Sequence, residues 1–435
     1  MLTNTQRDCL RDLAKQVKDI SQDGIWQEKI ECWKALNRTE SVRPMVMTVI
    51  TDELWPELIS KREILIEEPF YRALEFDLRK KIFRWKNIRD DVVITDKIYI
   101  PVYYEFTDWV ENRKRPFSMQ DPYDSGRKRA ECFHPCILEY KDWDRLVKTP
   151  ELKFIDYKTT EINMSKAHDV FGDILSIQEG EPFSSNTDGI PSGWGLSAID
   201  ILCELRGLEQ VFMDLAEAPE FIHMAMKYLC DGLGVYLDTM EREKLLRLNN
   251  NEFLNTDTPL GSNGMAFTDE LPGDNFNPGH VMAHNLWGYF QAQEFSCVSP
   301  QMHDEFVIQY QKPLAERFGK IAYGCCEKND YKYENIFKAF PNLSQVSVCH
   351  EADVHIAAET VQDRYAISWK PRCTIIDNFD EKRVREFMDK GFKAFENCHV
   401  VCSLQDNLTL HGQTVDALSG WADITMEIAE SYTKA

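Results

Sequence analysis

Lys320-Ile321-Ala322-Tyr323-Gly324-Cys325-Cys326-Glu327 opens as a short apolar run and ends on two adjacent thiols and a carboxylate. A run of that length reads as a buried strand. The residues just after it stand at a carboxyl end, where α/β enzymes keep their chemistry. Neighbouring cysteines close a strained ring, so a disulfide between them is not expected. The thiols are then buried small hydrophobes, redox groups or metal ligands.

The same rhythm repeats through the last third of the chain. Strands are expected at 320–322, 345–349, 365–368 and 400–404, each followed by a helix, at 333–340, 355–361, 381–395 and 415–431. Such alternation gives parallel pairing through right-handed crossovers. No glycine-rich nucleotide turn follows any of these strands, so the fold class is α/β and a (β/α) barrel fits better than an open doubly wound sheet. Helices are also expected at 198–205, 208–216 and 219–243, the last with Pro219 in its first turn. Residues 151–435 are assigned to the barrel. Residues 1–150 are assigned to an N-terminal helical and loop extension that caps it, with Leu10, Leu13, Val17 and Ile20 at helical spacing and a β-branched run at 45–50. The aperiodic stretch 111–135, rich in Arg, Pro, Asp and Gly, reads as a loop or lid.

With 435 residues, 43% hydrophobic and 11% aromatic, the chain can bury a full-sized core. A net charge of -22 opposes any phosphate backbone, and the basic groups Arg113-Lys114-Arg115 and Arg127-Lys128-Arg129 are short, so no nucleic-acid partner is expected. No apolar run is long enough to span a bilayer and no membrane partner is expected. The 13 scattered cysteines, an odd number, argue against an extracellular disulfide framework. The polar start of the chain has no signal-peptide core, so the expected compartment is cytoplasmic.

Ligand-grade side chains recur after the expected strands: Cys325, Cys326 and Glu327; Cys349, His350 and Glu351; then Cys402 with Asp406. Successive strand ends of a barrel converge, so such residues can surround one ion, and thiolate with imidazole favours zinc. A second group, Asp269 and Glu270 with His284 and Glu294, could supply acid, base or hydrogen-bond acceptors, or merely cap a helix. Trp194, in a Gly-rich turn, could wall a substrate or cover the core. Lys370 could bind an anionic group or stay solvated.

The order Arg206-Gly207, Asp214, Pro219-Glu220, Thr268-Asp269-Glu270-Leu271-Pro272, His284-Asn285-Leu286-Trp287-Gly288, Val298-Ser299-Pro300, Tyr310-Gln311 and Tyr323 to Glu327 resembles the uroporphyrinogen decarboxylase superfamily. It is most similar to the uroporphyrinogen-decarboxylase-like branch related to methyltransferases that work with corrinoid proteins. The resemblance implies a (β/α)8 TIM barrel. In the methyltransferases, zinc is held by an HxC motif after one strand and a distant cysteine after a later one. Cys325 stands at the HxC cysteine and Cys402 at the distant one, while Tyr323 replaces the histidine. The third ligand would then come from Cys326, Glu327, His350 or Glu294. No copy of the arginine-rich motif of the true, metal-free decarboxylases is found.

The implied activity is zinc-dependent methyl transfer between a small methylated substrate and a corrinoid protein. Asp269, Glu270 and His284 would manage protons; Trp194, Glu294 and Lys370 would contact substrate; Cys325, Cys326, Cys402 and His350 would hold metal. The alternative is a metal-free decarboxylase or lyase acting on an acidic substrate. A homodimer is one expectation for an oligomeric state that the sequence leaves open.

Overall fold

The computed structural model describes residues 2–51, 54–113, 134–180, 196–252, 263–407, 409–410 and 412–432. Trp194, residues 114–115 and 127–129 of the basic groups, and most of the expected lid lie outside these residues.

Among the described residues, helices alternate with ten strands: β1 (Met45–Ile50), β2 (Lys97–Ile100), β3 (Tyr103–Phe106), β4 (Leu152–Asp156), β5 (Ser176–Glu179), β6 (Trp287–Phe290), β7 (Lys320–Tyr323), β8 (Leu343–Val348), β9 (Ala366–Trp369) and β10 (His399–Asn407). Six of them form one sheet in the order β1-β10-β9-β8-β7-β6, and every pair in it is parallel. The sheet curls into a half-barrel. The expected closed eight-stranded barrel is therefore corrected: among the described residues the other four strands pair off separately, β2 with β5 and β3 with β4. Met45–Ile50, expected in a cap, is instead an edge strand of the main sheet beside the last strand of the chain. The opening segment forms two helices, Asn4–Ser21 and Ile25–Asn37.

Strand residues alternate between two faces. In register, one face carries Met45 and Met47, Val401 and Ser403, Ala366 and Ser368, Gln345 and Ser347, Ala322, and Trp287 and Tyr289. The other carries Val46, Cys402, Ile367, Trp369, Val346, Val348, Ile321, Tyr323 and Phe290, which pack with the surrounding helices in the largest core cluster. The first set is the inner face. Its lower layer is apolar, joined by Trp33 of the Ile25–Asn37 helix and by Val92, Val93, Met265 and Phe267, which fill the side that strands leave open.

A free edge strand exposes unpaired backbone groups, and β1 has one. Its Val46 and Thr48 amides each donate to a carboxylate, Asp91 Oδ2 and Asp90 Oδ2, both at 2.8 Å. Arg84 donates to the Thr48 carbonyl at 2.6 Å. Asp91 is fully buried, and Arg43 offsets its charge through two bonds of 2.7 and 2.8 Å; Arg84 does the same for Asp90 at 2.8 Å. The opposite edge, β6, is closed by Asn249, which both donates to and accepts from the Trp287 backbone. No described helix is long and apolar enough to cross a membrane. Removing one partner of a buried ion pair leaves an uncompensated charge, so Asp91→Ala should lower unfolding free energy by about 3 to 5 kcal/mol in urea titrations. A change below about 1 kcal/mol would show that this carboxylate does not hold the edge.

Candidate functional site

Toward the carboxyl ends of the strands the inner face turns polar. Ser403 and Gln405 of β10, Ser368 of β9 with Lys370 just beyond it, and Gln345 and Ser347 of β8 are all buried. Cys325 and Cys326, on the turn after β7, join this layer. Their Sγ atoms lie 3.5 Å apart, and either sulfur can donate to the other. Gln405 donates from Nε2 to Cys326 Sγ at 3.0 Å, which ties the pair to β10.

The turn owes its shape to Gly324, whose φ of +98° lies in the left-handed region. A Cβ there would sit 3.0 Å from Asn329 Nδ2 and from Ser347 Cβ. The turn is also fixed by its backbone bonds. Lys370 Nζ donates to the Cys325 carbonyl at 2.9 Å, Ser347 Oγ donates to the same oxygen at 2.5 Å, and Asn263 Nδ2 donates to the Gly324 carbonyl at 2.9 Å. Glu327, fully buried, accepts from the Cys325 amide at 2.7 Å and from the Ala292 amide at 3.0 Å.

These contacts bear on the ionisation of the Cys325 thiol. A hydrogen bond from Cys326 holds the Cys325 thiol below its ordinary range, and the Lys370 ammonium and Tyr289 hydroxyl add to this against burial and the Glu327 carboxylate. Thiolate is the nucleophilic form of cysteine, so this lowering favours a nucleophilic Cys325. Cys402 behaves oppositely: burial alone pushes its thiol well above the ordinary range.

The structure separates several residues that the sequence grouped. Cys402 sits on the helix-facing side of β10, opposite the inner face that Cys325 adjoins, so the two cannot share an ion. Tyr323, at the histidine position of the HxC motif, also points to the helix layer. There its hydroxyl meets His303 Nε2 at 2.8 Å and donates to Gln311 Oε1 at 3.3 Å. Burial pushes His303 down to about 3, so it stands neutral. His350 is exposed, 3.9 Å from Glu351. Among the described residues no group of three His, Cys, Asp or Glu side chains is placed to hold a metal. The expected zinc set thus does not fit; Cys325 and Cys326 are the donors that remain together.

Asp269, Glu270 and His284 are likewise corrected as proton-handling residues. Asp269 pairs with Lys34 at 2.9 Å and Arg38 at 3.2 Å, and Glu270 pairs with Lys320, the first residue of β7. His284 is exposed just before β6. All three stand at the amino ends of the strands, the end that serves stability in barrels. Two expected contact residues do reach the carboxyl ends: Lys370, against Cys325, and Glu294, in the turn after β6.

Sequence reading missed Tyr289, Gln291, Gln345, Ser347, Ser403 and Gln405. Their signal is a polar residue at every second position of otherwise apolar strands, as in Gln345-Val346-Ser347 and Ser403-Leu404-Gln405. It missed Asp200 as well, whose Oδ2 accepts from Gln291 Nε2 at 2.6 Å.

No protein-family model matches the sequence, and no curated protein does. Among solved structures, a methyltransferase from Methanosarcina mazei is similar over 92% of this chain and 98% of that chain, with 7% identity and a TM-score of 0.45. At this score the likeness decides neither the fold nor the reaction.

Alkylation by iodoacetamide follows the thiolate, so its rate at Cys325 should rise with pH below the ordinary thiol value of about 8.5. Lys370→Met removes a positive charge and should move that rise to higher pH, read from the Cys325 peptide by mass spectrometry. An unmoved profile would show that Lys370 does not stabilise the thiolate. Gly324→Ala should cost roughly 1 to 2 kcal/mol through its left-handed φ and slow Cys325 alkylation by displacing the turn.

Proposed function

We propose that this chain transfers a methyl group from a small methylated compound to a corrinoid protein, with Cys325 and Cys326 as the working centre. The reading rests on one observation: a Cys325 thiolate favoured by Cys326, Lys370 and Tyr289 at the carboxyl ends of a curled parallel sheet. A methyl carbon is a soft electrophile suited to a thiolate nucleophile. Cys325 would attack it while the electron pair of the breaking bond leaves with the substrate heteroatom. An amine or ether leaves poorly unless it gains a proton, so the site needs an acid. The corrinoid, carried by a separate protein, supplies a cobalt centre to which the methyl group finally passes. A reducing cytoplasm suits a working thiolate.

Zinc shared by Cys325 and Cys402 is not part of this reading, because the two thiols face opposite sides of the sheet. Decarboxylation of an acidic substrate is the weaker reading. Lys370 is the cation that the described inner face offers, and its Nζ is already bound to the Cys325 carbonyl.

The test uses purified protein with free cob(I)alamin as acceptor and a panel of methylamines, methyl ethers and methyl thioethers. At least one donor should convert the cob(I)alamin spectrum, and Cys325→Ser should slow that conversion by roughly 100-fold or more. Cys402→Ser should leave both rate and metal content unchanged. Release of carbon dioxide from an acidic substrate without cobalamin, with Cys325→Ser fully active, would contradict the proposal.

A further inference from the structure

Neighbouring residues of an extended strand point to opposite sides. Had β7 continued past Tyr323, Cys325 and Cys326 would therefore face apart. The left-handed turn at Gly324 ends the strand instead, and the two Sγ atoms come within 3.5 Å of each other. Gln405 Nε2 holds the Cys326 sulfur from β10 at 3.0 Å. Both cysteines are partly exposed, whereas Cys203, Cys349 and Cys402 are buried. A small oxidant can thus reach two sulfurs that already touch.

We propose that Cys325 and Cys326 close to a disulfide when a hydroperoxide oxidises them and reopen with a small thiol, so that the thiol centre is a reversible redox switch. The switch acts on the sulfurs themselves and stands whatever group Cys325 transfers. One sulfur attacks the peroxide O–O bond and becomes a sulfenic acid as water leaves. Its neighbour attacks that sulfur, the S–S bond forms and a second water leaves with the thiol proton. Two thiols and one hydrogen peroxide thus give one disulfide and two waters, the sulfurs losing the two electrons that the peroxide gains. Two molecules of a small thiol reverse the step and leave joined as their own disulfide.

Ring strain decides which form is at rest. Consecutive Cα atoms stand about 3.8 Å apart, short of the roughly 4.4 to 6.8 Å across which ordinary disulfides form. The peptide between the cysteines must twist to close the ring. Its carbonyl is already held by Lys370 Nζ at 2.9 Å and by Ser347 Oγ at 2.5 Å, and closure works against both bonds. The reduced pair is therefore the resting form, and the disulfide is of the strained, labile kind that small thiols reopen. Closure takes Cys325 out of use as a nucleophile without destroying it. Whichever sulfur is oxidised first, its neighbour captures the sulfenic acid before it passes to the irreversible sulfinic acid.

The test needs neither methyl donor nor corrinoid. Full-length protein is treated with hydrogen peroxide, and the peptide carrying both cysteines is weighed by mass spectrometry. That peptide should lose two hydrogens, and iodoacetamide should modify neither sulfur until dithiothreitol restores both in full. Cys326→Ser should instead gain oxygen at Cys325 and, after longer exposure to peroxide, stay blocked in dithiothreitol. Cys402→Ser should behave as the wild type. A wild-type peptide that is unchanged, that gains oxygen without losing two hydrogens, or that links to a different cysteine would overturn the proposal, as would a Cys402→Ser protein that no longer forms the bond. A working switch in protein that methylates no cob(I)alamin would fault the methyl-transfer reading alone.

Discussion

Side chains on a strand alternate between its two faces, and in a parallel sheet held in register neighbouring strands keep that alternation aligned. This constraint sorts the chemistry of the molecule. Along β8, β9 and β10 it sends Gln345, Ser347, Ser368, Ser403 and Gln405 inward and Val346, Ile367, Trp369, Cys402 and Leu404 toward the helices. A cysteine one position away from a reactive face is then a core residue. Cys402 is such a case, and its raised thiol pKa follows from burial alone.

Gly324 is where the alternation is broken, and the break makes the site. Had the extended chain continued, Tyr323 and Cys325 would share a face, as the two ends of an HxC motif require. The left-handed turn at Gly324 instead leaves Tyr323 among His303, Gln311 and Phe340 while Cys325 turns to the inner face. The replacement of histidine by tyrosine agrees with this. A phenol packed in the helix layer satisfies its hydroxyl there, while the thiols find Gln405 and Lys370.

Strand positions and helix bounds in the last third of the chain were legible because periodicity and length carry that information locally. The strand at 45–50 was legible too, but its partner was not, since pairing with β10 spans nearly the whole chain. The strand pattern itself placed Cys325, Cys326 and Lys370 just after strands. The roles of Asp269, Glu270 and His284 were not legible, because acidic and imidazole side chains look alike in sequence whether they face chemistry or pair at the amino ends of the strands. Asp200 carried no sequence signal at all. Its character comes from burial beside Glu294, which only the packing of a helix on a distant turn creates.

The central claim is that the Cys325–Cys326 pair is the reactive centre and Cys402 is walled off behind the sheet. Limited alkylation of the native protein at one neutral pH, with each cysteine peptide followed by mass spectrometry, tests it directly. Cys325 should be modified first, with Cys402 and Cys203 reacting only once the protein unfolds. Modification of Cys402 as fast as Cys325 in the folded protein would contradict the account.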